Sequence, residues 1–178
     1  MSNIITAGNK IAAMTGGTFY TAALPRSASG SVAPTPATIL ASYVIHSLSE
    51  MTVPTENDTW PLYSPTLPDG NGVKTNCGVM FDTTGIGDAR SLRTGKINEH
   101  PGIQLIIRTN DYQTGWNKIQ DIALLLDAIT NSTVTLGTVT YQLTNCSRTS
   151  PVVYLGLEPG TKRRMKFSVN YLLSYLTI

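Results

Sequence analysis

Charged residues are scarce in this sequence. Only 13% of its 178 residues are Asp, Glu, Lys or Arg, about half the share of roughly 25% that is usual in soluble domains. Hydrophobic residues make up 41% and the formal net charge is +2, a balance too mild to predict a clustered basic face for nucleic acid. We therefore expect protein rather than water to cover part of the surface.

Long hydrophobic runs and paired cysteines are missing too. The longest apolar run, Ile122 to Leu126, is far shorter than the roughly 18 residues that a membrane-spanning helix needs. The first thirty residues lack a basic start followed by an apolar block, so we expect no secretion signal and synthesis in the cytoplasm. Cys77 and Cys146 are far apart and outside any CxxC spacing, which favours reduced, buried thiols over a disulfide.

Familiar catalytic and metal-binding motifs are also absent. The sequence contains no P-loop, no HExxH and no GxSxG. A GxG at Gly85 to Gly87 has Arg90 where a third glycine would be needed, so it predicts a loop rather than a nucleotide site. His100 is predicted to organise a turn before Pro101. We therefore predict no cofactor, no metal site and no catalytic residues.

The chain divides into an arm and one domain. Residues 1–35 are rich in small residues with scattered large apolar ones and show no clear period, so we expect an N-terminal arm that becomes ordered against a neighbouring subunit or its own domain. Residues 36–178 are long enough for a single domain with its own core.

Two amphipathic helices are predicted in this domain. The first begins with Thr35 as cap and Pro36 at its first position and extends to Met51; His46 and Glu50 form a solvated pair on its polar side. Its apolar stripe is Leu40, Tyr43, Val44, Ser47, Leu48 and Met51. The second begins after Asn110 or Asp111 and reaches about Thr130. Its main stripe is Tyr112, Trp116, Ile119, Ala123 and Leu126.

Short alternating segments predict the strands. They cover residues 77–82, 103–109, two short pieces within 134–143, 152–155 and 164–175. Residues 83–102 are predicted as a loop, and residues 52–76 as a long Pro-rich segment. Two helices on one face of a mainly antiparallel sheet give an α+β fold.

The densest charge in the chain is the cluster Lys162, Arg163, Arg164 and Lys166. On a strand only alternate residues share a face, so Arg164 and Lys166 are expected to align. Such a strip suits an acidic protein surface or, without sequence recognition, a nucleic-acid backbone. A solvated strand end is the alternative.

One segment resembles a known family. Residues 93–108, RTGKINEHPGIQLIIR, are similar to the signature of tailed-phage tail terminator proteins, also known as minor capsid or tail completion proteins. In that family the strand is followed by an acidic-aromatic start, here Asp111 and Tyr112, and an amphipathic helix. The order of the other elements agrees over roughly residues 36–178, including the loop with Trp60-Pro61-Leu62-Tyr63. The arm is longer than is usual in the family.

The resemblance implies a structural virion protein and not an enzyme. Such a protein forms a homohexameric ring on the head-proximal end of the tail tube, where it stops polymerisation of the tube protein. The ring offers a docking interface to a head-completion, or stopper, protein, and DNA passes through its lumen without sequence recognition. The protein would be located at the head–tail junction of the virion after assembly in the host cytoplasm, with no membrane partner.

Position in the chain predicts the assembly contacts. They are Trp60, Leu62 and Tyr63 in the Pro-rich loop, Arg90 and Arg93 in the glycine loop, and Arg164 and Lys166 on the closing strand. Arg108 and His100 are predicted to organise the fold. Two alternatives stay open: a head–tail connector or stopper protein that binds the portal side, and a small cytoplasmic hydrolase that uses His100 or Cys77.

Overall fold

The structure, a computed structural model, describes residues 5–6, 33–54, 59–67, 74–88, 99–160 and 163–178. Two helices, α1 (Pro36–Ser47) and α2 (Tyr112–Asp127), lie within these ranges. The strands there are β1 (Ile5–Thr6), β2 (Met51–Thr52), β3 (Trp60–Tyr63), β4 (Cys77–Gly87), β5 (Glu99–Thr109), β6 (Thr130–Leu136), β7 (Val139–Arg148), β8 (Val153–Leu157) and β9 (Met165–Thr177). The arm predicted over residues 1–35 lies largely outside the described residues; its Ile5–Thr6 pairs with β6.

All nine of these strands belong to one curved sheet. The order is β1-β6-β7-β9-β5-β4-β3-β2, with β8 paired to β9 off this path. The three short pairings β1–β6, β2–β3 and β3–β4 are parallel. All the long pairings, which involve β4 to β9, are antiparallel. The predicted α+β class with a mainly antiparallel sheet is confirmed.

Strands β7 and β8 behave as one interrupted partner of β9. Arg148 pairs with Tyr171 and Val153 pairs with Ser168. Between these points Pro151 has no N–H to give to a ladder, and the backbone N–H of Asn170 donates instead to the hydroxyl of Ser150 at 3.0 Å. The interruption leaves β8 as a separate short strand beside the beginning of β9.

The core lies between the helices and one face of the sheet. Ile103, Leu105 and Ile107 of β5 are fully buried and stand opposite Tyr171, Val169 and Phe167 of β9. Residues directly opposite in an antiparallel pair share a face, so these two rows form the floor of the core. The helices cover it with Ile39, Leu40, Val44, Ile119, Ile122 and Leu126.

Helix α1 starts where it was predicted to start and ends before the predicted residue. The Thr35 side chain accepts a hydrogen bond from the Thr38 N–H at 3.3 Å, and Pro36 follows as the first helical residue. The predicted end at Met51 is wrong, since Leu48 is extended and Met51 pairs with Trp60 in the sheet. The buried surface is also wider than the predicted stripe, because Ile39, Ala41, Ser42 and Ile45 are buried as well.

Glu50 takes part in a contact between elements. The predicted solvated pair with His46 is wrong, because Glu50 lies past the end of α1 and its carboxylate accepts a hydrogen bond from Lys118 of α2. That bond and the positive charge of Lys118 lower the pKa of Glu50. The Lys118 ammonium also lies 5.5 Å from the centre of the Trp60 ring, so one lysine joins α2, β3 and the turn after α1.

Helix α2 is capped by Asp111, as one of the two predicted options. Its carboxylate accepts the Thr114 N–H at 2.7 Å, and the hydrogen bonds from Thr114 lower the pKa of Asp111. The helix ends at Asp127 rather than near Thr130, because Thr130 begins β6. Tyr112 was predicted in the buried stripe but is 46% exposed.

The loop predicted over residues 83–102 is wrong at both ends. Residues 83–87 and 99–102 extend the ribbon of β4 and β5, with a register shift between Thr83 and Ile86. The backbones are very close there: a Cβ on Gly102 would lie 2.4 Å from the Thr84 carbonyl oxygen, and one on Gly85 would lie 2.3 Å from that of His100. The shift therefore requires glycine at both positions.

Gly115 sets how closely α2 approaches the sheet. A Cβ at this position would lie 2.3 Å from Thr109 Cγ2 and 2.6 Å from Phe167 Cε2. Alanine would add about 1 kcal/mol of helix propensity, but both neighbours are fully buried and have little room to move. We expect Gly115→Ala to lower the free energy of unfolding by about 1–3 kcal/mol, measured by urea titration.

The matched control is Asp121→Ala, at an exposed position of the same helix. It should change the free energy of unfolding by less than about 0.5 kcal/mol. A Gly115→Ala variant as stable as the parent protein would contradict the close packing of α2 on Phe167.

Candidate assembly surface

Strand β8 presents large apolar side chains to solvent. Val153, Tyr154, Leu155 and Leu157 are 44%, 40%, 51% and 59% exposed, respectively. Single exposed apolar residues are ordinary, whereas a contiguous group of them marks an interaction surface. Within the described ranges β8 pairs only with β9, so its other side is a sheet edge that can accept a neighbour. We call these four residues, together with Tyr112, the β8 patch.

An aromatic cluster holds the β8 patch in place. The Tyr112 ring centre lies 5.4 Å from that of Tyr154 and 5.2 Å from that of Phe167. Tyr154 and Phe167 are 5.3 Å apart, and Trp116 completes the group at 6.2 Å from Phe167. Phe167 is fully buried and anchors the other three rings to the core. The two tyrosines of the β8 patch are thus packed against the core, and such preorganisation lowers the entropic cost of binding to them.

A charge cluster fixes the turn between β8 and β9. The Glu158 carboxylate lies 2.8 Å from the Lys166 ammonium, 3.8 Å from the Arg108 guanidinium and 3.9 Å from that of Arg164. Arg108 is fully buried and also donates to the Lys74 carbonyl oxygen at 3.2 Å. Because Arg108 stands opposite Lys166 in the β5–β9 ladder, the cluster lies on the sheet face that the helices do not cover.

The structure buries some of the residues that were predicted to make assembly contacts and leaves others partly exposed. Trp60 and Leu62 are 5% and 0% exposed, so their side chains belong to the core. Tyr63 keeps partial exposure at the end of β3. Arg90 and Arg93 lie outside the described residues.

Arg164 and Lys166 lie beside the β8 patch. Each side chain keeps about a quarter of its surface exposed, 25% and 27% respectively, while it pairs with Glu158. They are therefore available at the rim of a contact but are partly neutralised by the fold.

The exposed apolar side chains of β8 are candidate contact residues that were not predicted from the sequence. The segment Val153 to Leu157 has no charged residue and presents large apolar side chains on both faces. A strand that is apolar on both faces is typically buried by other elements on both faces. This pattern in the sequence could have identified the segment as a candidate contact surface.

His100 connects the β4–β5 ribbon to β9. Its Nδ1 is hydrogen-bonded to the Ser174 hydroxyl at 2.7 Å, and its Nε2 to the Asp88 carboxylate at 3.0 Å. Both ring nitrogens thus have partners on other segments. In this structure His100 joins two strands and the segment after β4, which is a larger role than the predicted organisation of a turn.

Both cysteines are buried and free. Burial raises the pKa of the Cys77 thiol although Arg108 opposes the shift, and it raises that of Cys146 to about 12. A buried protonated thiol is a poor nucleophile at neutral pH. Cys77 therefore has the properties of a packing residue in this fold.

In the described part of the chain, no group of three or more His, Cys, Asp or Glu side chains is arranged to hold a metal ion. No helix in it is both long and apolar enough to cross a bilayer.

The charge cluster yields a stability prediction. Glu158→Gln keeps the shape of the side chain but removes the negative charge that faces buried Arg108. We expect a loss of about 2–4 kcal/mol in the free energy of unfolding, because the negative charge that faces the buried Arg108 guanidinium is removed while its position stays buried. Asp127→Asn is the control, since it makes the same chemical change in the more exposed pair with Arg148; it should cost less than about 1 kcal/mol. Equal losses in urea titrations would contradict a special role for Glu158.

No protein-family model matches this chain, and no curated protein matches it significantly. The resemblance to tail terminators therefore depends on residues 93–108 and on the order of the elements around them. Because one fold class hosts many functions, the surface features are more informative about function than the fold.

Proposed function

We propose that this protein is a structural subunit that works as a closed ring of identical chains, the homohexameric tail terminator of a tailed bacteriophage. The observation that carries the proposal is the β8 patch. A monomer would leave four large apolar side chains of one strand in water, and burial of that surface in a permanent contact would be strongly favourable. The scarcity of charged residues supports the same interpretation.

The residues that resemble the family signature have definite physical roles. Gly102 is required where the β4 and β5 backbones come closest. Of the acidic-aromatic pair that follows β5, Asp111 caps α2 and Tyr112 joins the aromatic cluster under the β8 patch. The signature thus contributes both to the sheet and to the surface that we assign to assembly, which supports the proposal.

The proposed ring acts by occupying a surface. One face covers the head-proximal end of the tail tube and prevents further tube subunits from adding. The other face receives the head-completion protein, and DNA passes through the centre. No bond is made or broken, so the protein needs no cofactor.

Oligomeric state and capping test the proposal. Native mass spectrometry of the full chain should show a hexamer, because a ring buries the β8 patch in every subunit. Added to purified tail tube protein, the hexamer should stop polymer growth and be visible at one tube end in electron micrographs. A stable monomer at all concentrations, or unlimited tube growth, would overturn the proposal. A ring that binds a portal protein instead of tubes would favour the connector or stopper alternative.

The hydrolase alternative has one structural feature in its favour. Ser174, His100 and Asp88 form a hydrogen-bonded series of the residue types used in nucleophilic hydrolysis. With an activated ester as substrate, a hydrolase would show turnover that is lost in His100→Ala and kept in His46→Ala. We expect the rate of ester hydrolysis with the protein to equal the rate in buffer alone, because in our proposal His100 connects strands and does not act on a substrate. Turnover that depends on His100 would support the alternative.

A further inference from the structure

The face of the sheet that the helices do not cover carries uncharged polar side chains on its central strands. On β5, buried Ile103 and Leu105 face the helices, and Gln104 between them points the other way because side chains alternate along a strand. The Gln104 amide donates to the hydroxyl of Ser168 at 2.9 Å. We call this side of the sheet the open face. Its exposed or partly exposed polar side chains include Thr83, Gln104, Asn145, Ser147 and Asn170, with the partly buried Phe81, Ile106 and Leu172 among them.

Most of the carboxylates that the structure describes lie on the opposite, helix side. The chain has 11 acidic residues, and eight of them are in the described ranges. Five of these eight belong to the helices or contact them. Glu50 pairs with Lys118 of α2, and Asp82 accepts the Ala37 N–H of α1 at 2.8 Å. The other three are Asp111, which caps α2, and Asp121 and Asp127 within that helix.

The remaining three described carboxylates have basic residues near them in space or in sequence. Glu158 belongs to the charge cluster at the β8–β9 turn. Asp88 and Glu99 flank the segment between β4 and β5, and the Asp88 carboxylate is 3.0 Å from His100. That segment lies outside the described residues and contains the three basic residues Arg90, Arg93 and Lys96. All segments outside the described ranges together contain six basic and three acidic residues, so their net charge is positive as well.

Basic side chains mark one end of the open face. Arg108 of β5 stands opposite Lys166 of β9, and the side chains of Arg164 and Lys166 each keep about a quarter of their surface exposed. On the helix side, Lys118 and Arg148 are each paired with a carboxylate. A polyanion is therefore attracted more to the open face than to the helix side.

We propose that the open face is the surface that contacts duplex DNA and that it lines the passage through the ring, with α1 and α2 on the outside. The inference rests on the proposed function, which brings DNA to the centre of the ring. Arg and Lys, together with the hydroxyl and amide side chains of Ser, Thr, Asn and Gln, contact phosphates without reading the sequence. The β8 patch lies at an edge of the sheet, so subunit contacts there leave the open face available.

The composition of the open face suits DNA that moves through a ring. Non-specific affinity increases with the number of phosphates that basic side chains neutralise, and Glu158 already compensates part of the charge of the few cations here. No acidic residue occurs between Gly102 and Thr109 of β5, in β7 or in β9, so these strands do not repel phosphates. An acidic protein partner would be expected to find an apolar centre in its contact, whereas polar groups predominate at the exposed positions of this face.

Matched variants of the full chain test which side of the sheet meets DNA. Gln104→Lys adds a cation to the open face, and Gln113→Lys adds one to an exposed position of α2. Each glutamine donates one side-chain hydrogen bond in the parent protein. Binding of a fluorescent duplex of about 30 base pairs is followed by anisotropy between about 50 and 200 mM salt. Gln104→Lys should steepen the slope of log K against log salt by at least about 0.9, the contribution of one phosphate contact, and Gln113→Lys should keep the parent slope.

Two further comparisons make the test independent of any single variant. Gln104→Glu should weaken binding at least about threefold, because a carboxylate then faces phosphates, while Gln113→Glu should not. Asn145→Lys and Asn117→Lys repeat the lysine comparison at two exposed asparagines, one on each side of the sheet, and should differ in the same direction. Urea midpoints show that each variant is folded.

Linear and covalently closed circular forms of one DNA test the position of the open face in the ring. A linear duplex can thread a preformed ring, whereas a closed circle cannot. The hexamer should therefore retard the linear form in a gel and leave the circular form unshifted.

Four results would overturn the inference. They are equal effects of Gln104→Lys and Gln113→Lys, no DNA binding by the hexamer, equal retardation of linear and circular DNA, and binding of poly-glutamate in place of DNA, which would identify an acidic protein as the partner. In each case the unmodified protein is still a hexamer that caps tubes, so the proposed function stands. A monomer in native mass spectrometry overturns the proposed function instead, and the passage through a ring fails with it.

Discussion

Hydrogen bonding on both sides of β9 is the constraint on which most of the structure depends. On one side β9 pairs with β5 from Gly102 to Thr109, and on the other it pairs first with β8 and then with β7. The alternate residues Phe167, Val169 and Tyr171 form the core floor beneath the helices. The intervening positions carry Lys166, which reaches Glu158. The core floor, the charge cluster and the strand of the β8 patch thus all adjoin this one strand.

The exposed apolar side chains of the described residues lie mostly at the margins of the sheet, on the short strand β8 and at the ends of β9 and β4. Exposed apolar sheet edges are an aggregation risk unless another chain covers them. A defined contact between copies of the chain would cover such edges. A closed ring would also limit the number of copies that associate, because no edge is left free.

Local signals predicted the elements whose determinants are local. The Thr35–Pro36 start of α1, and a start of α2 at Asn110 or Asp111, were predicted correctly because a cap acts within one helical turn. The end of α1 was predicted too late, because Met51 pairs with Trp60 in the sheet. The sequence of α1 does not indicate that a partner strand is available. The β4–β5 ribbon was underestimated since its outer residues, rich in Thr and Gly, are stabilised by pairing rather than by apolar alternation.

The sequence by itself determined the class of the fold, the two helices with their starts, and a composition that favours contact with other protein. Only the tertiary structure decided which apolar residues remain exposed. Trp60 and Leu62 are buried under Lys118 and the helices, whereas Val153 to Leu157, equally apolar in sequence, are exposed at an edge. The difference arises because exposure depends on which strands find partners on both sides, and pairing joins residues that are distant in the chain.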